Sequence, residues 1–197
     1  SDLGVARVVL ARENSLVDIK NIVAKIKKSK LKSEVEAFIH GAMCLSLSGR
    51  CHLSQYSFSK SANRGECLQP CRREFLIKDD QDESEYLVGE NYLLSPKDLC
   101  TLDFIDKMIE AGIGAFKIEG RIRSSEYTRV VTSAYRKAID AYFRNKLTKS
   151  LKAKLKKELE KVYNRGFSGG FYSGEPDSGI SKSLEHTHEK VYVGEII

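Results

Sequence analysis

The feature that most constrains the fold is an alternation of two periodicities along the chain. Val5-Ala6-Arg7-Val8-Val9-Leu10-Ala11 is rich in β-branched residues and reads as a buried strand. Ser15 follows, with Asp18 three residues on, as a capping box for a helix whose Leu16, Ile19, Ile22, Val23 and Ile26 recur at helical spacing. Val35 to His40 reads as a second strand and Ala115 to Ile118 as a third. A helix from about Ser125 to Phe143 carries Tyr127, Val130, Val131, Ala134, Tyr135, Ala138, Ile139 and Tyr142 on one stripe. Strands alternating with helices build parallel βα units. Between the second and third strands, Glu74–Lys78 and Tyr86–Leu94 read as a hairpin. Ser95-Pro96-Lys97-Asp98 reads as a helix start, with Ser95 as cap, Asp98 completing a capping box, and Gly112 ending the helix.

In βα proteins chemistry gathers at the carboxyl ends of the strands. Those ends read Arg12-Glu13, His40 and Glu119-Gly120-Arg121, all ionisable. The expectation is a site at the carboxyl face of a barrel-like sheet, with His40 and Glu119 for proton transfer. Arg12, Arg121 and Arg72 are suited to grip an anionic partner by two-pronged hydrogen bonds.

The same region holds the thiols. Cys44, Cys51, Cys67 and Cys71 fall within 28 residues, and Cys100 stands apart. An odd five cysteines in 197 residues is not a secreted disulfide scaffold, so a reducing cytoplasm is the expected setting and the thiols read as metal ligands or redox groups. Thiolates hold iron–sulfur clusters in fours. Zinc favours close pairs on both sides of a gap, a pattern only Cys67 and Cys71 fit. Cys44 beside His40 is a third reading, a nucleophile with its base. Spacing alone leaves all three open.

Charge is concentrated as well. The net charge is +6, yet residues 144–165 carry +7 and the remainder about −1. Leu147, Leu151, Leu155, Leu159 and Val162 make this segment an amphipathic helix, whose lysines either follow RNA phosphates or face water. Tyr163, Phe167, Phe171 and Tyr172 beside Arg165 read either as base-stacking groups or as packing anchors. No apolar run approaches the roughly 20 residues that span a bilayer.

At these residues the chain resembles a known family. Glu36-Ala37-Phe38-Ile39-His40-Gly41-Ala42-Met43-Cys44 and Gly49-Arg50-Cys51-His52-Leu53-Ser54 are similar to the signature of the collagenase-like peptidase family U32. Asn63 to Arg72, Leu94 to Leu99, Phe116 to Arg121 and Asn164 to Gly170 resemble it in the same order. The resemblance implies an α/β fold, a partial TIM-like (β/α) barrel over 1–180. This would be a barrel's carboxyl-terminal half, lacking its amino-terminal half, with a cysteine-rich insertion over 44–100. Residues 181–197 would then be a linker and the first strand of a small β domain.

By the same resemblance, Cys44, Cys51, Cys67 and Cys71 hold a 4Fe-4S cluster, with Cys100 as the alternative fourth ligand and zinc as the alternative metal. The branch most resembled hydroxylates carbon 5 of the wobble uridine of tRNA, with prephenate as co-substrate. The expected partner is then tRNA, met through 144–165, and neither DNA nor a membrane. Alternatives are hydroxylation of rRNA or a quinone precursor, and a collagenase-like peptidase. Hydroxylating a uridine ring requires electron transfer or an activated oxygen donor, which suits a cluster. A peptidase needs a nucleophile and base, and the sequence offers neither G-x-S-x-G nor H-E-x-x-H.

Overall fold

The computed structural model describes residues 4–75 and 92–175, together with the backbone of two short strands at 77–78 and 85–86. In chain order the elements are β1 (Arg7–Val9), α1 (Leu16–Lys28), β2 (Glu34–Gly41), α2 (Leu53–Phe58), β3 (Ile77–Lys78), β4 (Glu85–Tyr86) and β5 (Asp98–Cys100). There follow α3 (Ile105–Glu110), β6 (Ala115–Ile118), α4 (Ser125–Phe143), α5 (Lys149–Glu160) and β7 (Phe167–Ser168). The capping box at α1 forms as the sequence predicts. The Ser15 hydroxyl accepts from the Asp18 N–H at 3.1 Å, and the Asp18 carboxylate accepts from the Ser15 N–H at 3.0 Å. Ser124 and Thr148 cap α4 and α5 by the hydroxyl alone, accepting from the Tyr127 and Leu151 N–H.

β2 organises the sheet. It runs parallel to β1 and to β6, from Arg7↔Glu34 and Glu36↔Ala115 onward, with an irregularity between Phe38 and His40. Val35, Ala37 and Ile39 alternate into the core, as period 2 requires of a strand. There they meet Ile19 and Val23 of α1 and the stripe of α4, together with Ile105 and Met108 of α3. Leu155 and Leu159 of α5 join the same cluster. Each such side chain contributes about 1.5–3 kcal/mol when fully buried.

Four expectations change. The sheet is open and mixed, because the last two residues of β2 pair antiparallel with β5, which then runs parallel to β7. No closed barrel forms among the described residues. Second, Asp98 does not complete a capping box but begins a strand. Its carboxylate is bound at 2.9 Å by the buried Arg165, and the Ser95 hydroxyl accepts from Arg72. Tertiary partners thus override the local helix signal, and the helix begins only at Ile105. Third, β1 is exposed, since its only partner among the described residues is β2 and it forms an edge. Fourth, of the hairpin expected over 74–94 the described residues show β3 and β4 paired over two residues each, while 92–94 are not strand and 87–91 lie outside the described residues. The linker and strand expected over 181–197 lie outside the described residues. No helix among the described residues is long and apolar enough to cross a membrane.

Candidate functional site

The site begins where β2 and β6 end together. The Glu119 N–H donates to the His40 carbonyl at 2.8 Å. Gly41 adopts φ +106, and a Cβ there would stand 2.3 Å from the Glu119 carbonyl oxygen. Only glycine allows this approach, and it delivers the chain directly into Met43 and Cys44.

Beyond the strand ends lies a cavity of about 340 Å³. Cys44, Cys51, Cys67 and Cys71 all line it, all half-buried. So do Arg12, Arg72, Glu119 and Arg121. Seven of the eight site residues the sequence pointed to are therefore brought to one place, and Arg72 with them.

Side chains hold the cysteine segment over these strand ends. Glu13 accepts from the Ser48 N–H at 2.7 Å, and Arg121 donates to the Gly65 carbonyl at 2.6 Å. Buried Ser54 of α2 accepts from the Leu68 N–H at 3.1 Å. Gln69, at φ +54, aims its N–H at Cys67 Sγ, 3.4 Å away. Arg72 donates to Ser95 Oγ at 2.9 Å, to the Pro96 carbonyl at 2.6 Å and to the Met43 carbonyl.

The electrostatics reflect the crowding. Burial pushes the Cys71 thiol up, Arg72 pulls it down, and Cys44, Cys67 and Cys51 push it further up. Burial pulls the Arg72 guanidinium down, as does Arg165, while Cys71 opposes them. For Glu13 burial acts upward, but hydrogen bonds from its own backbone and Ser48 prevail and hold the carboxyl below its ordinary range. Among the described residues no three His, Cys, Asp or Glu side chains converge closely enough to hold a single metal ion.

His40 is the site residue placed elsewhere. It stands at the end of β2, next to Gly41, but its side chain is outside the cavity lining, 1% exposed, with the rings of Phe167, Tyr135 and Tyr127 at 5.4, 5.6 and 6.0 Å. Burial lowers its pKa to about 3, so the ring is neutral. Cys100 is also outside the cavity, buried in β5 opposite His40, with the Tyr135 hydroxyl 3.7 Å from its sulfur.

The basic segment is partly consumed by the fold. Lys152 pairs with Asp106 at 2.9 Å and Lys156 with Asp103 at 2.6 Å, fastening α5 to α3 and to the turn before it. Arg165 is buried against Asp98. Arg144, Lys146, Lys149, Lys154, Lys157 and Lys161 remain exposed. Of the aromatic residues nearby, Phe167 packs on His40. Tyr172 is buried with its hydroxyl donating to the Phe38 carbonyl at 2.5 Å, and Phe171 packs against the core. These three are packing anchors.

Sequence reasoning missed Phe38, which lines the cavity with Arg12 at 5.8 Å and Lys117 at 5.0 Å from its ring centre. Its signal was present: an apolar residue out of phase with the inward-facing Val35, Ala37 and Ile39.

The chain is similar to several known proteins. The model of peptidase family U32 matches residues 1–182. A collagenase of Porphyromonas gingivalis is 38% identical over 95% of this chain and 47% of its own length. The tRNA hydroxylation protein P1 of Bacillus subtilis is 40% identical over 96% of this chain and 44% of its own. A 23S rRNA 5-hydroxycytidine synthase of Escherichia coli is 40% identical over 72% of this chain and 20% of its own. The chain therefore spans less than half the length of these curated relatives. No solved structure gives a significant match. On the family match and these identities, the chain belongs to peptidase family U32.

Proposed function

We propose that this chain is the thiol-bearing part of an enzyme that hydroxylates carbon 5 of tRNA wobble uridine, with prephenate as co-substrate and the cytoplasm as its setting. In this reading Cys44, Cys51, Cys67 and Cys71 hold a 4Fe-4S cluster. The observation that carries it is that these four cysteines, and not Cys100, line the same cavity as Arg12, Glu119 and Arg121. Four thiols on one cavity wall are the number that an iron–sulfur cluster takes. The Gln69 N–H directed at Cys67 Sγ is the kind of hydrogen bond that tunes a ligated sulfur. When bound, the cluster supplies electron transfer.

The chain's own groups take the remaining roles. Arg12 and Arg121 offer two guanidinium forks to a carboxylate or phosphate. Glu119, whose carboxylate accepts from the Arg121 N–H at 3.0 Å, is positioned to exchange a proton at its other oxygen. The exposed cations of 144–161 are the surface offered to RNA phosphates. The names of the hydroxylating relatives support an RNA base as the acceptor. A Cys44–His40 peptidase dyad is disfavoured, because His40 is enclosed by rings behind the cavity wall.

The test is anaerobic purification of the full-length protein with iron and sulfide analysis, followed by nucleoside profiling of tRNA from a deletion strain. A brown protein absorbing near about 400 nm and loss of the wobble hydroxyl support the proposal. A colourless protein with one zinc per chain overturns the cluster. An unchanged nucleoside profile with lost gelatin degradation overturns the substrate.

A further inference from the structure

The cysteine segment begins at Cys44 and ends at Cys71, so its two ends are flanked by Met43 and Arg72. The Arg72 guanidinium reaches back 29 residues to the Met43 carbonyl. It also reaches forward 23 and 24 residues to Ser95 Oγ and the Pro96 carbonyl, at the entrance to β5. One side chain therefore joins both ends of the segment to each other and to the sheet. The middle of the segment is held separately, by Glu13 at Ser48 and Arg121 at Gly65. None of those contacts fixes the first thiol relative to the last.

Two properties make arginine specific here. Its planar fork meets three fixed oxygens on two segments, a pattern that a lysine ammonium on a flexible stem does not reproduce. Its partners among the described residues are neutral oxygens, since the nearby Asp98 carboxylate is taken by Arg165. A fixed positive charge thus stands in the wall of the cavity that the thiols line. Charge beside a thiolate-ligated group is one of the factors that set its reduction potential.

We propose that Arg72 is the positioning residue of the thiol site: it latches Cys44 to Cys71 and supplies the site with a fixed cation. The proposal rests on the cluster reading for its charge effect and on the hydrogen bonds alone for its latch.

The experiment compares Arg72→Lys and Arg72→Gln with the unaltered full-length protein, purified anaerobically, with circular dichroism as the check on folding. The first readout is the rate at which a maleimide alkylates Cys44 and Cys71 in the metal-free protein, with sites assigned by peptide mass. Both variants should react about tenfold faster at Cys44, the factor carried by one lost hydrogen bond to a charged group; at Cys71 the same gain is read in Arg72→Lys, because Arg72→Gln also removes the charge that favours the Cys71 thiolate. The second readout is the midpoint potential of the bound cluster. It should fall in Arg72→Gln and stay close to the unaltered value in Arg72→Lys. If Arg72→Gln does not fold, Arg72→Lys alone decides the latch through its alkylation rates. Unchanged alkylation in the folded variants overturns the latch, and an unchanged potential in Arg72→Gln overturns the charge role. An unaltered protein that binds no iron overturns the cluster reading instead, and the alkylation rates still decide the latch.

Discussion

The βα framework and the cysteine segment are held by different forces. In the framework, β2 with α1 and α4 buries Ile19, Ile39, Val131 and Tyr135 almost completely, and hydrogen bonds run along ladders and helices. In the segment over 44–75, Leu45, Leu47 and Leu68 are more than half exposed and Tyr56 is 91% exposed. Its order comes from single side chains, Glu13 and Arg121 of the framework reaching Ser48 and Gly65, and its own Arg72 reaching back to Met43. The framework folds because it removes apolar surface from water, whereas the segment is positioned by a few polar tethers and retains uncovered apolar side chains. A scaffold of the first kind tolerates loss of a ligand. A loop of the second kind takes its rigidity in part from whatever fills the cavity.

The contrast is open to test, with the largest effect expected in the framework. Arg165→Met leaves Asp98 buried without its partner and should cost about 3–5 kcal/mol. Adding Asp98→Leu should recover most of that loss. Chemical denaturation of the two variants decides it, and equal stability of single and double variants would show that the ion pair is not what holds β5 beside β7.

The next effect is a pH dependence. Burial draws His40 from its ordinary 6.5 down to about 3. The unfolded chain takes up a proton as pH falls through 6.5 while the folded chain does not, so stability declines as the pH drops from 7 toward 3. The contribution is about 2 kcal/mol between pH 7 and pH 5. His40→Phe should flatten that slope in urea titrations at the two pH values, and an unaltered slope would place the acid sensitivity elsewhere.

The smallest effect on stability belongs to the segment. Arg121→Ala should lower global stability by only about 1 kcal/mol or less. It should nonetheless open residues 45–73 to limited proteolysis under native conditions, with cleavage mapped by mass. Resistance equal to that of the unaltered protein would mean that the tethers do not hold the segment.

Legibility in the sequence followed the same division. The capping box at Ser15, the strand over Val35 to His40, and the stripe of α4 are local signals, and each appears in the structure where expected. The strand ends at Arg12, Glu119 and Arg121 foretold the cavity because topology carries the ends of parallel strands to one face. What failed depended on distant partners. Ser95 and Asp98 carry a helix-start pattern, but Arg72 and Arg165 occupy their side chains. His40 reads as a strand-end base, but the register with β5 places it opposite Cys100 inside the sheet. Arg165 counted toward a basic surface until Asp98 was found facing it.

The contact between Gly41 and the Glu119 carbonyl has one more consequence. It makes the junction between the ends of β2 and β6 a close backbone-to-backbone approach. The offset between the start of the thiol segment and the Glu119 main chain is therefore set by a fixed stop, with no rotamer able to lengthen it. Changes in the surrounding loops can reshape the cavity entrance and its charge, but the spacing between these two strand ends is machined into the main chain.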